Sequence, residues 1–456
     1  MALGPVHTRA VYSTERCTCW LEFCLTHLLF FNSSAFSLLL VQLKFSPYHE
    51  GVYCFSRSRW PPPPPLPAFF SNPFTLSSET NRLIKLGPDE YRLVSEADKL
   101  KLRRSNVNFI DVTRHVPVEK VVQDGVIGAP EQSFFTTLKT LGSKQLHHLA
   151  KEPPVYNYPK KAHYKDEVNR LIAAIDVDSI TANLNKFTSF YTRYYKSESG
   201  FESANWLYDY ISSLVAPVKE KVSVTKFHHD GWDQFSIIVS IPGEVADKVV
   251  VGAHQDSINL LFPNLLKAPG ADDDGSGTVT ILEVLRLLLG EYEAKTFKPY
   301  NTLEFHFFSA EEGGLLGSID VFSNYSSYDE VVVGMLQQDM TGYSAGSVDA
   351  GVEPHIGLIT DYTSVALNDF LKVLVDTYND IPYHESSCGY ACSDHASAIE
   401  NGYPASFLIE SEMKYTSKYI HSVLDTVDRI DWDHVTEHVK LTIAYAYELS
   451  LAKKLH

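Results

Sequence analysis

Three adjacent aspartates constrain this chain more than any other feature. The stretch 249–277, VVVGAHQDSINLLFPNLLKAPGADDDGSG, opens as an apolar run that reads as a buried strand, with His254 and Asp256 at its carboxyl end. It then reaches Asp272, Asp273 and Asp274, bounded by Gly275 and Gly277. In an open α/β sheet the carboxyl ends of the strands form the ligand crevice. Carboxylates crowded there beside a His-x-Asp repel one another unless a cation stands among them. A metal ion is the expected cation.

The rest of the chain can supply the scaffold. At 456 residues with 44% apolar content it is long enough to bury a large core. A formal charge of −17 argues against nucleic acid and anionic membrane as partners. Six cysteines are too few for a disulfide framework.

Residues 1–76 do not read as a domain. An apolar run at 25–43 follows Arg9 and Arg16 and is interrupted by His27, Asn32, Ser33 and Ser34, a signal-like or signal-anchor pattern that is marginal for a membrane span. Pro61 to Pro65 form a polyproline II segment that cannot join a core. Residues 77–155 are charged and helical in pattern. An amphipathic unit at 88–100 carries Leu93, Ala97 and Leu100, and further runs lie at 116–126 and 134–149. With the dibasic Lys160-Lys161 just beyond, this layout suits a removable pro-region. Sequons at Asn32 and Asn324 are glycosylation sites if the chain is secreted, which the signal-like start favours.

Residues 156–456 alternate strands with helices. Strands are expected at 222–227, 235–241, 248–251, 302–308, 331–336 and 405–409, and helices at 165–175, 179–190, 203–215, 278–289 and 433–449. Several strands are continuous apolar runs, as in sheets covered on both faces. The pattern predicts an α/β domain, a mostly parallel mixed sheet sandwiched between helices.

Five strand ends or adjoining loops carry ligand-type side chains: His254, Asp273, the Glu311-Glu312 pair, Asp339 and His421. Imidazole with carboxylate suits zinc better than calcium or magnesium. Charge favours two ions, because two Zn²⁺ balance Asp273, Glu312, Asp339 and a bridging hydroxide. One Zn²⁺ leaves a net charge of about −2 in a low-dielectric cleft. Successive side chains at a strand end diverge, so one of the two glutamates can bind metal while the other faces the water as general base. Asp256 is placed to orient His254.

The motifs HQD, GADDDGSG, SAEEGGLLGS, LQQDMTGY, CGYACSDHAS and IHSVLDT occur in this order and closely resemble the cocatalytic two-zinc aminopeptidases, in particular the secreted leucine aminopeptidases of fungi and bacteria. The resemblance covers roughly 155–456, and 82–113 is similar to the fungal pro-region. It implies a zinc-dependent exopeptidase architecture with two Zn²⁺ per chain. His254 and Asp339 would hold one ion, Glu312 and His421 the other, and Asp273 would bridge. Glu311 would be the general base and Asp256 a supporting acid. A disulfide between Cys388 and Cys392 is implied as well. Tyr390 is a candidate to hydrogen-bond the oxyanion, Asp394 to meet the substrate's α-ammonium, and Met340 to line the first specificity pocket. The activity expected is removal of leucine and other apolar residues from peptides with a free N-terminus, by a secreted monomer whose pro-region inhibits it or aids its folding. The alternatives are a glutaminyl cyclase or carboxypeptidase on the same scaffold, or an inactive binding ectodomain.

Overall fold

The computed structural model describes residues 82–116 and 153–456. The extension 1–76 with its Asn32 sequon, and nearly all of the helical runs expected at 116–126 and 134–149, lie outside these residues. Among the described residues no helix is long and apolar enough to cross a membrane.

The N-terminal segment is a small hairpin unit. Strands β1 (Arg82–Gly87) and β2 (Glu90–Val94) pair antiparallel across a Pro88-Asp89 turn, helix α1 (Glu96–Arg104) follows, and β3 (Ile110–Asp111) returns to β1. The amphipathic helix expected at 88–100 therefore begins only at Glu96. The proline turn commits Glu90–Val94 to the hairpin, with Tyr91 and Val94 buried. Ser95 then closes a capping box with Asp98, which fixes where the helix starts.

The main body opens with α2 (Lys165–Ile172), α3 (Val177–Phe187) and α4 (Glu198–Val215). Asp176 and Ser197 cap α3 and α4, each accepting a backbone N–H three residues on. Strands β4 (Ser223–Phe227), β5 (Ser236–Ile241) and β6 (Val245–His254) lead into α5 (Gly277–Glu293). Then come β7 (Asn301–Phe308), α6 (Leu316–Ser327), β8 (Val332–Gln338), α7 (Ala345–Asp349), β9 (Ile356–Ile359) and α8 (Val365–Tyr378). The chain ends with β10 (Tyr383–Ser386), α9 (His395–Glu400), β11 (Ala405–Ile409) and α10 (Trp432–Leu451).

One eight-stranded sheet results, in the order β10-β9-β11-β8-β6-β7-β5-β4. Its centre, β11-β8-β6-β7, is parallel, and antiparallel pairs occur between β11 and β9, β7 and β5, and β5 and β4. Successive strand residues face opposite layers. Val249 and Val251 join the core with α5, α8 and α10, while Val250 meets Phe308, Phe322 and Met335 beneath α6 and α9. Helix α5, apolar almost all round, is buried from Gly277 to Leu289 except at Arg286. Each of its buried leucines and Ile281 contributes roughly 1.5–3 kcal/mol by leaving water. The carboxyl ends of β6, β7, β8 and β11 share one edge, and the site lies there.

The hairpin unit and the main body share a core. Leu83, Tyr91, Ile110 and Val112 pack against Leu315, Ile319, Ala391 and Ala396. Asp320 on α6 joins the two as well, bonded to Arg114 Nη2 at 2.6 Å, His115 Nε2 at 2.8 Å and His229 Nδ1 at 2.7 Å. Burial alone would raise its pKa, but these partners outweigh burial and hold it down to about 2. A depressed carboxylate stabilises the fold above its unfolded pKa of about 4, and that contribution fades as pH falls toward the folded value. The shift corresponds to about 2 kcal/mol. The stability gap between the natural chain and Asp320→Asn is thus expected to be full at pH 6 and to narrow steadily below about pH 4. A gap constant across that window, measured by denaturant unfolding, would remove Asp320 from this role.

Candidate metal centre and active site

The acidic loop before α5 holds its three aspartates in different ways. Asp274 Oδ2 accepts the His254 N–H at 3.0 Å, and Asp274 Oδ1 accepts those of Gly277 (2.9 Å) and Met340 (3.1 Å). Asp272 Oδ1 accepts the Gly342 N–H at 2.9 Å and the Ser276 hydroxyl at 3.1 Å. Both outer carboxylates are thereby held by backbone N–H groups of the surrounding chain, and of the three only Asp273 lines the cleft. Gly277 permits this close packing, since a Cβ there would sit 2.3 Å from Asp274 Oδ1 and 2.4 Å from the Gln338 carbonyl oxygen.

Two further residues set the loop. Asp425 accepts the backbone N–H groups of Asp272 (2.9 Å) and Asp273 (3.1 Å). Arg193, fully buried, stacks on Phe187 and donates to the carbonyls of Gln255 (2.9 Å), Pro269 and Gly270 (2.8 Å). Burial pulls its guanidinium down to about 10 against the raising effect of Asp425 and Asp274. Sequence reasoning missed both positions. Asp425 had a usable signal, lying inside the IHSVLDT motif four residues after His421, whereas Arg193 in YTRYY had none.

The expected ligands converge. Asp273 spans two imidazoles, with Oδ1 3.1 Å from His254 Nε2 and Oδ2 3.0 Å from His421 Nε2. Asp339 Oδ1 lies 3.6 Å from His254 Nε2, and Glu312 Oε2 lies 3.3 Å from His421 Nε2. Ligands about 2.0–2.1 Å from a tetrahedral zinc stand about 3.3 Å apart, so these four separations match the edges of two such tetrahedra sharing Asp273. Both nitrogens of His254, both oxygens of Glu312 and Asp339 Oδ1 are buried without a hydrogen-bond partner. Buried polar atoms in such number call for a cation. Burial alone would lower the His254 and His421 pKa values. The acids around them, led by Asp339 for His254 and by Glu312 for His421, instead drive both well above the ordinary range. The residues therefore fit zinc.

The supporting residues are equally specific. Asp256 is fully buried, faces His254 Nδ1 at 3.4 Å, and accepts the backbone N–H groups of Glu311 (3.0 Å) and Glu312 (3.2 Å). One carboxylate thus ties the first histidine to the paired glutamates. Ser393 donates to Asp339 Oδ2 at 2.6 Å. Glu311 diverges from Glu312 and faces Arg103, whose Nη2 lies 2.8 Å from Glu311 Oε2. Burial raises the Glu311 carboxyl well above the ordinary carboxylate range, with Arg103 pulling against it.

Beside this centre opens a cavity of about 590 Å³, with Asp273, Glu311, Asp339 and His421 in its wall. Met340, Phe407, Ile409 and Ile420 form one apolar side of it, next to the Cys388–Cys392 disulfide, whose Cα atoms are 6.0 Å apart. Met340 is therefore part of the cavity wall. Tyr390 and Asp394 are not part of the cavity wall. The Tyr390 hydroxyl donates to Glu400 Oε1 at 2.7 Å, and Asp394 is fully buried, accepting from Gln337 Nε2 at 3.1 Å. Asn324 is exposed on α6.

A second histidine cluster, His355, His384 and Glu412, lies apart from the centre. His355 Nε2 already accepts the Glu412 N–H at 3.1 Å, and its Nδ1 lies 2.8 Å from the Glu353 carbonyl oxygen. Its neutral ring is satisfied and has no lone pair left for a metal.

Comparison with known proteins agrees with this geometry. The model of peptidase family M28 matches residues 236–446. A probable aminopeptidase of Saccharomyces cerevisiae is 46% identical over 376 residues, covering 81% of this chain and 93% of that protein. Leucine aminopeptidase 1 of Emericella nidulans is 48% identical over 373 residues, covering 81% and 89%. Among solved structures, the LapA aminopeptidase of Legionella pneumophila superposes with a TM-score of 0.67 at 27% identity, covering 82% of this chain and 99% of that one. The chain belongs to peptidase family M28 and is a zinc-dependent aminopeptidase.

Proposed function

We infer that the enzyme holds two zinc ions and releases leucine and other apolar residues from the free N-terminus of peptides. The observation that carries this reading is the bridging posture of Asp273 between two His–carboxylate sets, with an apolar pocket alongside. His254 and Asp339 would hold one ion, Glu312 and His421 the other, and Asp273 both. Bound zinc supplies a water acidified from about 15.7 toward about 7 and polarises the scissile carbonyl.

The chain's own residues do the rest. Met340, Phe407 and Ile409 receive the first side chain, which sets the preference for apolar residues. The substrate's free amine lies at the acidic edge of the centre, so internal peptide bonds are poor substrates. Glu311 takes the water's proton and passes it to the leaving amine nitrogen. Asp256 holds His254 and the Glu311-Glu312 turn in register.

The signal-like start, the exposed sequon at Asn324 and the disulfide support a secreted, glycosylated enzyme, which we read as a monomer. Residues 77–155 are read as its pro-region. Zinc-loaded protein freed of residues 1–155 is expected to hydrolyse leucine 4-nitroanilide and to leave the N-acetylated compound untouched. Metal analysis of the same sample should find two zincs per chain. A single zinc, or equal cleavage of the blocked substrate, would overturn the reading.

A further inference from the structure

The cavity wall carries charge of both signs. Asp273, Glu311 and Asp339 supply the acid, and the loop from Met413 to Lys418 supplies two exposed lysines, Lys414 and Lys418. Arg103, a further cation of the wall, belongs to the segment read as the pro-region. In a chain of net charge −17, two lysines beside the reacting centre call for a reason.

The two lysines are not equivalent. Lys414 Nζ lies 3.0 Å from Glu412 Oε1 and 4.7 Å from the centre of the Tyr415 ring, so an acid and an aromatic face already engage it. Lys418 makes no ion pair among the described residues. Its side chain is exposed, but the backbone that carries it is fixed on both sides. Ser417 is buried and donates its N–H to Glu410 Oε1 at 2.6 Å. Tyr419 lies under the Arg429 guanidinium, 3.5 Å from its ring centre, and edge-on to Tyr343. Lys418 is thus a point charge on a flexible stem, carried by a fixed base and still without a partner.

Chain geometry sets what that charge can meet. Lys418 stands two residues before Ile420 and three before His421, so the Cα atoms of Lys418 and His421 are at most about 11 Å apart. A peptide bound by its free amine at the acidic edge advances about 3.3–3.6 Å per residue. A carboxylate within the first few residues after the scissile bond therefore falls at the same range from the centre as the lysine. We propose that Lys418 is a specificity-determining residue that binds this carboxylate, so that the enzyme favours short peptides with a free C-terminus and peptides with an acidic residue close behind the first. The inference rests on the aminopeptidase reading and deepens it. A short peptide carries an ammonium at one end and a carboxylate at the other, and the wall offers acids for the first and an unpaired cation for the second. Lys418 takes no part in breaking the bond.

The test uses the zinc-loaded protein, folded as the full chain and then freed of residues 1–155, with its Lys418→Gln, Lys418→Glu and Lys414→Gln variants. Each enzyme is given Leu-Gly-Gly against its C-terminal amide, and Leu-Gly-Glu amide against Leu-Gly-Gln amide. Within each pair the bond cleaved is the same, so the ratio of kcat/KM values reports the carboxylate alone, and differences intrinsic to the peptides cancel between variants. Lys418→Gln is expected to lower the ratio roughly two- to fivefold, the worth of one exposed ion pair. Lys418→Glu should lower it further, by turning attraction into repulsion, and Lys414→Gln should lower it less than Lys418→Gln. The change should lie in KM, because the carboxylate is bound alike before and during reaction. It should vanish at about 1 M salt, where charges are screened beyond about 3 Å. A response in the first pair assigns the carboxylate to the chain end, and a response in the second assigns it to an acidic side chain. Ratios identical across the natural enzyme and both Lys418 variants, or a larger shift from Lys414→Gln, would overturn this inference alone. Failure of every form to release leucine from any of the four peptides would overturn the aminopeptidase reading and the inference with it.

Discussion

Glutamine at position 311 is expected to leave the zinc content unchanged while lowering kcat about a hundred- to ten-thousandfold, the usual worth of a general base. The side chain is not a ligand in this geometry. Its Oε2 accepts from Arg103 Nη2 at 2.8 Å, whereas Glu312 Oε2 lies 3.3 Å from His421 Nε2. Glutamine keeps the shape and can still accept from Arg103, so the buried guanidinium is not stranded. The bonds that fix the turn run from the Glu311 and Glu312 backbone N–H groups to Asp256 and do not depend on the side chain. What is lost is a group that can gain and then release a proton. Because that transfer takes place in the transition state, kcat and kcat/KM should fall together with KM little changed. Retained turnover at full zinc would place the base elsewhere.

The metal-binding side of this site was legible because it is written at strand ends. Apolar runs locate the central strands, and the polar residues just beyond β6, β7 and β8 are what remains to face the crevice. His254, Glu311, Glu312 and Asp339 could be read in this way, and the Asp272–Asp274 crowding demanded a cation. The choice of Asp273 as the acid facing the cleft came from family resemblance. Its physical cause, the capture of Asp272 and Asp274 by backbone N–H groups, depends on chain segments far apart in sequence. Strands β9 and β10 escaped notice because four-residue strands show too little periodicity. Ala310, Met340 and His421 adopt left-handed backbone with φ of 58°, 58° and 57°, and no glycine announces it. Each such residue costs about 1–3 kcal/mol, which the surrounding fold sustains at the site. Arg103 was illegible for another reason. A basic residue on a charged helix reads as solvated, and only the docking of that helix on the main body reveals that it points at Glu311.

Removing the bridging acid should have the other large effect, because Asp273→Ala is expected to cost both zincs where His421→Ala costs one. Each oxygen of Asp273 faces a different histidine, at 3.1 Å and 3.0 Å, so its loss opens both sets at once. His421→Ala leaves His254, Asp339 and Asp273 still gathered, and one ion can remain. The difference should appear in stability as well as in turnover. A metal that binds only the folded chain adds about 4 kcal/mol at a thousandfold excess over its Kd. Zinc should therefore raise the Tm of the natural protein strongly, raise that of His421→Ala less, and leave Asp273→Ala almost unmoved. Without zinc a separate effect appears. Burial alone would raise the Asp273 carboxyl, but His421 and His254 outweigh burial and hold it well below the ordinary range, so its ionised form stabilises the metal-free fold. Metal-free Asp273→Ala should thus unfold earlier than the metal-free natural chain. Two zincs retained in Asp273→Ala, or an equal loss of metal in both variants, would show that the two sites do not share this residue.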